Sequence, residues 1–219
     1  IARIESEGEF SPADVLLTVD AGRLWRAEEA KILSPITSPT LQERVPPEFR
    51  DPEGLWFGFS TRARIIIYNK AAGLPSPLAT YADLAAPEHR GRICMRSSSN
   101  IYNVSLLASI ISHDGAAAAE AWTRGVVANF ARPPQGNDTN NIEAVSTGAC
   151  GISIVNSYYL ARFIASDDPA SKKVIEGVGV VFPDQAARGT HVNISGGGVP
   201  THAPNRENAV RFLEFMSSD

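Results

Sequence analysis

The chain of 219 residues has little of what marks several common classes of protein. It contains two cysteines and four histidines, and they form no CxxC, HxH or HxxxH pair of the kind found in zinc and redox sites. No apolar run approaches the ~20 residues that a membrane-spanning helix needs. The formal net charge of −4 offers no basic surface for a nucleic acid. These absences argue against a zinc module, a membrane span and a nucleic-acid partner.

The signals of common hydrolases are also missing. The sequence has no GxSxG element, no SxxK motif and no paired carboxylates at a predicted cleft. Because an enzyme needs a positioned acid, base or nucleophile, we expect a protein that binds its ligand without catalysis.

The two cysteines lie at the end of one predicted strand, Cys94, and at the start of another, Cys150. Positions at opposite ends of parallel strands usually lie too far apart for the narrow geometry of a disulfide. We therefore expect buried free thiols, and a disulfide formed in an oxidising compartment is the alternative.

Strand-like and helix-like segments alternate along the chain. Residues 14–19, 91–95 and 151–155 are short, mostly apolar runs typical of buried strands, and residues 101–112 carry apolar side chains at helical spacing. Residues 173–182 also indicate a strand. This alternation predicts an α/β fold with largely parallel sheets.

Three of the five tyrosines follow predicted strands. Tyr158 and Tyr159 come after the strand at 151–155, and Tyr102 comes after the strand at 91–95. Since the carboxyl ends of parallel strands form the ligand-binding edge of α/β proteins, three phenol oxygens can converge there. Three phenolates would balance the charge of a hard trivalent cation such as Fe(III). The alternative is that the tyrosine pair only fills a core or an interface with its rings.

Two polar segments near these tyrosines are candidates for anion binding. Arg62 and Arg64 lie on one side of an isoleucine-rich strand, where a buried guanidinium needs an anion or a carboxylate partner. Residues 96–100, which include Ser99 and Asn100, lead into a helix and offer hydroxyl, amide and backbone N–H groups. The alternatives are a structural ion pair for the arginines and a helix cap for the polar segment.

Several motifs, taken in order, resemble those of the bacterial periplasmic ferric-ion-binding proteins of ABC-type iron importers. The most specific parts are the Asn-x-Tyr-Tyr element that ends at Tyr159 and the upstream Tyr102. The resemblance runs over nearly the whole chain and is carried by residues 11–22, 60–64 with 68–69, 97–103, 136–139, 155–159 and 193–196. Each motif alone is weak, but their common order is specific.

The resemblance implies a two-lobed type II periplasmic-binding-protein fold of the α/β class, with mostly parallel sheets and two crossover strands. The crossovers are expected near Ile67 and Asn193, so that residues 1–67 and 193–219 form a discontinuous first lobe and residues 68–192 form the second. Members of the family carry further ligands on an earlier strand and continue past the last helix. We therefore expect a chain truncated at both ends, with an incomplete first lobe.

The same resemblance implies a solute receptor that captures Fe(III) in the cleft between the lobes and delivers it to an ABC-transporter permease in the inner membrane. Tyr102, Tyr158 and Tyr159 match the phenolate ligands of the tyrosine-rich branch of the family. Arg62 occupies a position available to a synergistic anion such as carbonate. We expect a monomer in the periplasm, with any signal peptide outside this chain.

Two rival interpretations stay open. A receptor for a small oxyanion or phosphonate would use Arg62 and residues 97–100 while the tyrosines only pack. An enzyme on a similar two-lobed scaffold is the other, because a fold alone does not define a function.

Overall fold

The computed structural model of this chain describes residues 1–218, and Asp219, which the predicted first lobe includes, lies outside the described residues. The described α-helices are α1 (Ala2–Glu7), α2 (Ala21–Glu29), α3 (Pro39–Arg44), α4 (Ile101–Asp114), α5 (Ala116–Ala128), α6 (Asp138–Ser146), α7 (Ser157–Ile164), α8 (Pro169–Glu176) and α9 (Arg206–Met216). The described strands are β1 (Leu16–Val19), β2 (Leu33–Ser34), β3 (Phe57–Asn69), β4 (Ile93–Cys94), β5 (Ile152–Asn156), β6 (Val178–Val181) and β7 (Val192–Pro200). Among these helices, none combines the length and the hydropathy needed to cross a membrane.

The described residues divide into two compact units. The first comprises Ile1–Thr61 and the described residues from Asn193 onward, and the second comprises Arg62–Val192. The chain passes from the first unit to the second within β3 and returns at the start of β7. β3 and β7 are therefore the two strands that cross from one unit to the other.

In the first unit, β1 and β2 both pair antiparallel with β7, so that β1 and β2 run in the same direction. Helix α2 begins after Asp20, whose side chain accepts a hydrogen bond from the N–H of Gly22 and caps the helix. An apolar cluster that includes Leu41, Phe57 and Leu213 forms one part of the core of this unit.

In the second unit, β4 pairs parallel with β5, while β3 pairs antiparallel with both β5 and β6. The strands β4, β5 and β6 therefore share one direction, as a parallel α/β unit requires, and β3 is an antiparallel insertion. Ile66 packs into an apolar cluster with residues of α4 and α5, whereas Ile65 and Ile67 pack into a second cluster with residues of α6 and α7. Both faces of β3 are covered, which explains why its apolar run is continuous.

The strand predicted at residues 173–182 is wrong in its first half, which contains the end of α8, and β6 follows it. Helix α8 begins because Asp168 accepts hydrogen bonds from the N–H groups of Ala170 and Ser171, with Pro169 in the first turn. The prediction relied on the valine and isoleucine content and overlooked this start signal.

The expectation of free thiols is also wrong, because Cys94 and Cys150 form a disulfide with their Cα atoms 5.9 Å apart. Strand β4 is only two residues long, and its parallel pairing with β5 places Cys94 opposite Ser153. Cys150 comes only three residues before Ser153, and its N–H donates to the carbonyl of Ala144, outside the strand ladder. Cys94 therefore lies beside the start of β5 and close to Cys150, so the two side chains are within reach of one disulfide.

Candidate metal site

The three predicted tyrosines come together in the second unit, at the start of two helices. Tyr102 lies in the first turn of α4, and Tyr158 and Tyr159 lie in the first turn of α7, which follows β5 directly. Because β4 and β5 are parallel neighbours, the segments that leave their carboxyl ends reach the same edge of the sheet. The hydroxyl oxygens of Tyr102 and Tyr158 lie 3.2 Å apart and share a hydrogen bond.

The rings of Tyr158 and Tyr159 stack on each other, with centroids 4.3 Å apart and planes 29° apart. The guanidinium carbon of Arg162 lies 5.2 Å from the ring centroid of Tyr158 and 5.5 Å from that of Tyr159. Arg162 follows the pair by one helical turn, and the geometry of α7 therefore places it beside both rings. All three tyrosine side chains are half-buried.

Three further guanidinium groups surround the ring of Tyr102. The Cζ atoms of Arg62, Arg64 and Arg96 lie 5.6, 5.9 and 5.2 Å from its centroid. A cation within ~6 Å of an aromatic ring is attracted by the negative face of that ring. With Arg162 included, four positively charged side chains flank the tyrosine cluster.

One buried carboxylate balances part of this charge. Asp138, the first residue of α6, is 0% exposed and accepts hydrogen bonds from Arg64 at 2.6 Å, from Arg96 at 3.1 Å and from the backbone N–H of Asn156 at 2.8 Å. Arg64 also donates to Oδ1 of Asn103 at 2.8 Å. Arg64 is therefore held in a structural ion pair, which is one of the alternatives that its position in the sequence leaves open.

Burial and hydrogen bonding favour the neutral form of the Tyr158 phenol. Burial raises the pKa of Tyr158, and hydrogen bonds with Tyr102 and Tyr159 raise it further. Burial lowers the pKa of Arg64 although Asp138 opposes this effect. A phenol whose pKa is raised is neutral at pH 7, so a cation that binds it must displace a proton.

The surroundings of Arg96, in contrast to those of Arg64, favour its charged form by raising its pKa. Burial by itself lowers the pKa of Arg96, but the Asp138 carboxylate and a hydrogen bond with Tyr159 outweigh that effect, and the pKa of Arg96 is raised. Arg96 is thus a firmly charged donor to the Asp138 carboxylate.

The serine segment before α4 makes mainly local bonds. Asn100 caps the helix by accepting a hydrogen bond from the N–H of Tyr102 at 3.0 Å. The alternative interpretation of this polar segment as a helix cap is therefore confirmed. The hydroxyl of Ser99 lies 2.8 Å from that of Ser97. This cap fixes the first turn of α4 and thereby the backbone of Tyr102. A part for Ser99 and Asn100 in anion binding stays a prediction.

Sequence reasoning missed Arg96, Asp138 and Arg162 as members of the cluster. Each carries a signal: Arg96 begins the polar segment after β4, Asp138 is part of the segment 136–139 that supports the resemblance, and Arg162 follows the tyrosine pair at helical spacing. Their partners were not predictable in this way, because Asp138 and Arg64 are 74 residues apart in the chain.

The donor atoms of this cluster distinguish it from the usual metal sites of proteins. Within residues 1–218, no group of three or more histidine, cysteine, aspartate or glutamate side chains is placed to hold a metal ion. The cluster offers phenol oxygens instead, and as phenolates these suit a hard, highly charged cation.

Comparison with known proteins identifies similar sequences over the full chain. Residues 10–219 match the family described as bacterial extracellular solute-binding protein. Iron uptake protein A1 of Synechocystis sp. is 55% identical over 219 residues, which is all of this chain and 61% of that protein. Iron uptake protein A2 of the same organism is 50% identical over 221 residues and is matched over 64% of its length. The chain thus spans less than two thirds of these curated relatives.

Solved structures show the same fold. A Trichodesmium protein described as IdiA (FutA) in complex with iron and citrate ligands has a TM-score of 0.93 and 58% identity, with 99% of this chain and 69% of that chain covered. The ferric binding protein from Campylobacter jejuni has a TM-score of 0.94 and 40% identity, with the same coverage of 99% and 69%. The α/β fold class predicted from the sequence, the type II periplasmic-binding-protein fold, is therefore confirmed.

Proposed function

We propose that this chain, which belongs to the family of bacterial extracellular solute-binding proteins, binds ferric iron as its cargo through the phenolates of Tyr102, Tyr158 and Tyr159. The observation that carries the proposal is the approach of Tyr102 and Tyr158, whose hydroxyl oxygens lie 3.2 Å apart although the residues are 56 positions apart in sequence. Tyrosines that only fill a core do not need to bring their hydroxyl groups together beyond the carboxyl ends of two strands.

The charges of the cluster fit a ferric ion and an accompanying anion. Three phenolates neutralise Fe(III), and the four arginines with Asp138 leave an excess of three positive charges next to the neutral complex. An anion placed among these arginines would offset the excess, as guanidinium groups bind carboxylates and related oxyanions in a bidentate manner. We assign this role to carbonate or a small carboxylate beside Arg62, and the Trichodesmium relative, whose structure contains iron and citrate, supports the assignment.

The remaining features of the proposal concern location and partners. As a solute-binding protein, the chain would act in the periplasm as a monomer and deliver iron to an ABC-type permease in the inner membrane. The Cys94–Cys150 disulfide supports an oxidising compartment of this kind. The two compact units would be the two lobes, with the predicted division at residues 67/68 and 192/193 lying in or beside the crossing strands.

A receptor for a small oxyanion is the second candidate, because four guanidinium groups flank the tyrosines. In that case the anion would bind to the arginines without iron, and the phenols would stay protonated. The two candidates differ in what the phenol oxygen of Tyr158 does.

The substitution Tyr158→Phe separates them, because it removes one oxygen and keeps the ring. Tyr68→Phe is the matched control, since Tyr68 lies in β3, is half-buried and packs against the apolar core outside the cluster. We expect Tyr158→Phe to weaken Fe(III) binding, measured by competition with citrate, by more than the ~10–100-fold that loss of an outer-shell partner costs. Tyr68→Phe should bind as the wild type does. Equal affinity for Fe(III) in all three proteins would refute ligation by the Tyr158 phenolate, and no Fe(III) binding by the wild type would favour the oxyanion receptor.

A further inference from the structure

Asp138 occupies an unusual place for a carboxylate. It lies at the start of α6 with 0% of its surface exposed, where an ionised group is costly unless partners replace its water. Its oxygen Oδ2 accepts hydrogen bonds from Arg64 and from the backbone N–H of Asn156, and its oxygen Oδ1 accepts one from Arg96. The two oxygens therefore have separate partners.

The partners of Oδ2 belong to the buried framework. The side chain of Arg64 is only 2% exposed. Asn156 is the residue directly before α7, so its backbone N–H leads into the turn that carries Tyr158 and Tyr159. This half of the carboxylate holds β3, α6 and the start of α7 together.

The partner of Oδ1 reaches the tyrosines. Arg96 is 16% exposed at its side chain and places its guanidinium carbon 5.2 Å from the ring centroid of Tyr102. Among residues 1–218, no hydrogen bond joins Asp138 to a phenol oxygen. It acts on the tyrosines through the orientation and the shared charge of Arg96.

We propose that Asp138 is a positioning residue of the iron site, which holds the Arg96 guanidinium over the ring of Tyr102. This inference rests on the proposed function and adds a residue to it. The carboxylate offsets part of the positive charge of this guanidinium, so Asp138 limits how strongly Arg96 withdraws electron density from the phenolate of Tyr102. Asp138 also removes one positive charge from the surroundings of a trivalent cation.

A purely structural role is the alternative, because Asp138 is the counter-ion of the buried Arg64. Removal of a partner from a buried ion pair destabilises a protein strongly in any case. Loss of stability alone therefore does not distinguish the two roles. The two roles are distinguished by the energy of the phenolate-to-iron charge-transfer band, because this energy reports the donor strength of the ligated phenolates.

The first test is Asp138→Asn, which keeps the shape and an acceptor oxygen but removes the charge. We expect iron affinity, measured by citrate competition, to fall ~10–100-fold, as is typical for loss of an outer-shell partner. The band should move to shorter wavelength, because the positive charge of Arg96 beside Tyr102 is no longer offset and lowers the donor strength of that phenolate. Asp184→Asn is the matched control, since Asp184 is a buried carboxylate of the same unit in the loop after β6, and it should keep the wild-type band and affinity.

A second variant, Arg96→Met, leaves the Asp138–Arg64 pair intact and serves if Asp138→Asn does not fold. Loss of the positive charge beside Tyr102 should move the band to longer wavelength, opposite to Asp138→Asn. The inference is overturned if the folded variants of both residues keep the wild-type band position and affinity, whatever happens to their unfolding midpoints. A wild-type protein without any band would refute the proposed function and this inference with it, whereas a wild-type band with unchanged variants would refute the inference alone.

Discussion

The Cys94–Cys150 disulfide should contribute a large part of the stability of the second unit. It closes a loop with a sequence separation of 56 residues, for which the chain-entropy estimate gives ~4 kcal/mol of stabilisation at 25 °C. With a urea m-value of ~2–3 kcal/mol per M, its loss should lower the midpoint of urea unfolding by ~1–2 M. The bond also joins β4 to the segment before β5, and β4 and β5 are the two strands that lead to the tyrosines.

Reduction with dithiothreitol is the cleanest perturbation, because it leaves every side chain in place. Urea unfolding of the oxidised and reduced protein, followed by circular dichroism, gives the shift of the midpoint. The double variant Cys94→Ala/Cys150→Ala is the control, since its unfolding should not respond to the reductant. A thiol assay in denaturant without reductant should detect no free thiol. Two thiols per chain in that assay, or equal midpoints for the oxidised and reduced protein, would refute the reasoning.

Three further predictions concern pH and packing. Burial raises the pKa of the Tyr81 and Tyr158 phenols above the ordinary value near 10. The stability that these buried neutral phenols contribute is therefore present below pH ~10 and is lost as pH rises through the folded-state pKa. In urea unfolding, the loss of stability between pH 8 and pH 11 should be smaller for Tyr81→Phe than for the wild type. Gly196→Ala should destabilise the first unit by ~1–3 kcal/mol, because the new Cβ would lie 2.3 Å from the carbonyl oxygen of Phe57. An unchanged melting temperature in thermal unfolding would contradict this close approach of the two strands. Acidification should release bound iron, since protons compete for the phenolates, and retention of iron at low pH would count against phenol ligands.

The fold class was predictable because the sequence repeats a local pattern. Short apolar runs such as residues 151–155 end at polar segments that begin helices, and this arrangement follows from the physics of a sheet covered on both faces. The failure at residues 173–182 has the same origin, because apolar content alone does not separate a strand from a short helix that begins at Asp168.

The candidate site was predictable only in part. Tyr102, Tyr158 and Tyr159 were identified because each follows a strand, which is a local property of the sequence. Asp138 and Arg96 were not, since their roles depend on partners that only the folded chain brings together. The same limit explains the disulfide, because the strand register that places Cys94 opposite Ser153, near Cys150, is set only in the folded chain.

The central claim is that phenol oxygens of this chain ligate Fe(III), and the visible absorption spectrum tests it most directly. Iron-loaded protein at pH 7 should show a phenolate-to-iron charge-transfer band whose intensity rises with bound iron, weakens in Tyr158→Phe and fades on acidification. Folded protein that binds Fe(III) without such a band, or with a band that Tyr158→Phe leaves unchanged, would contradict the account.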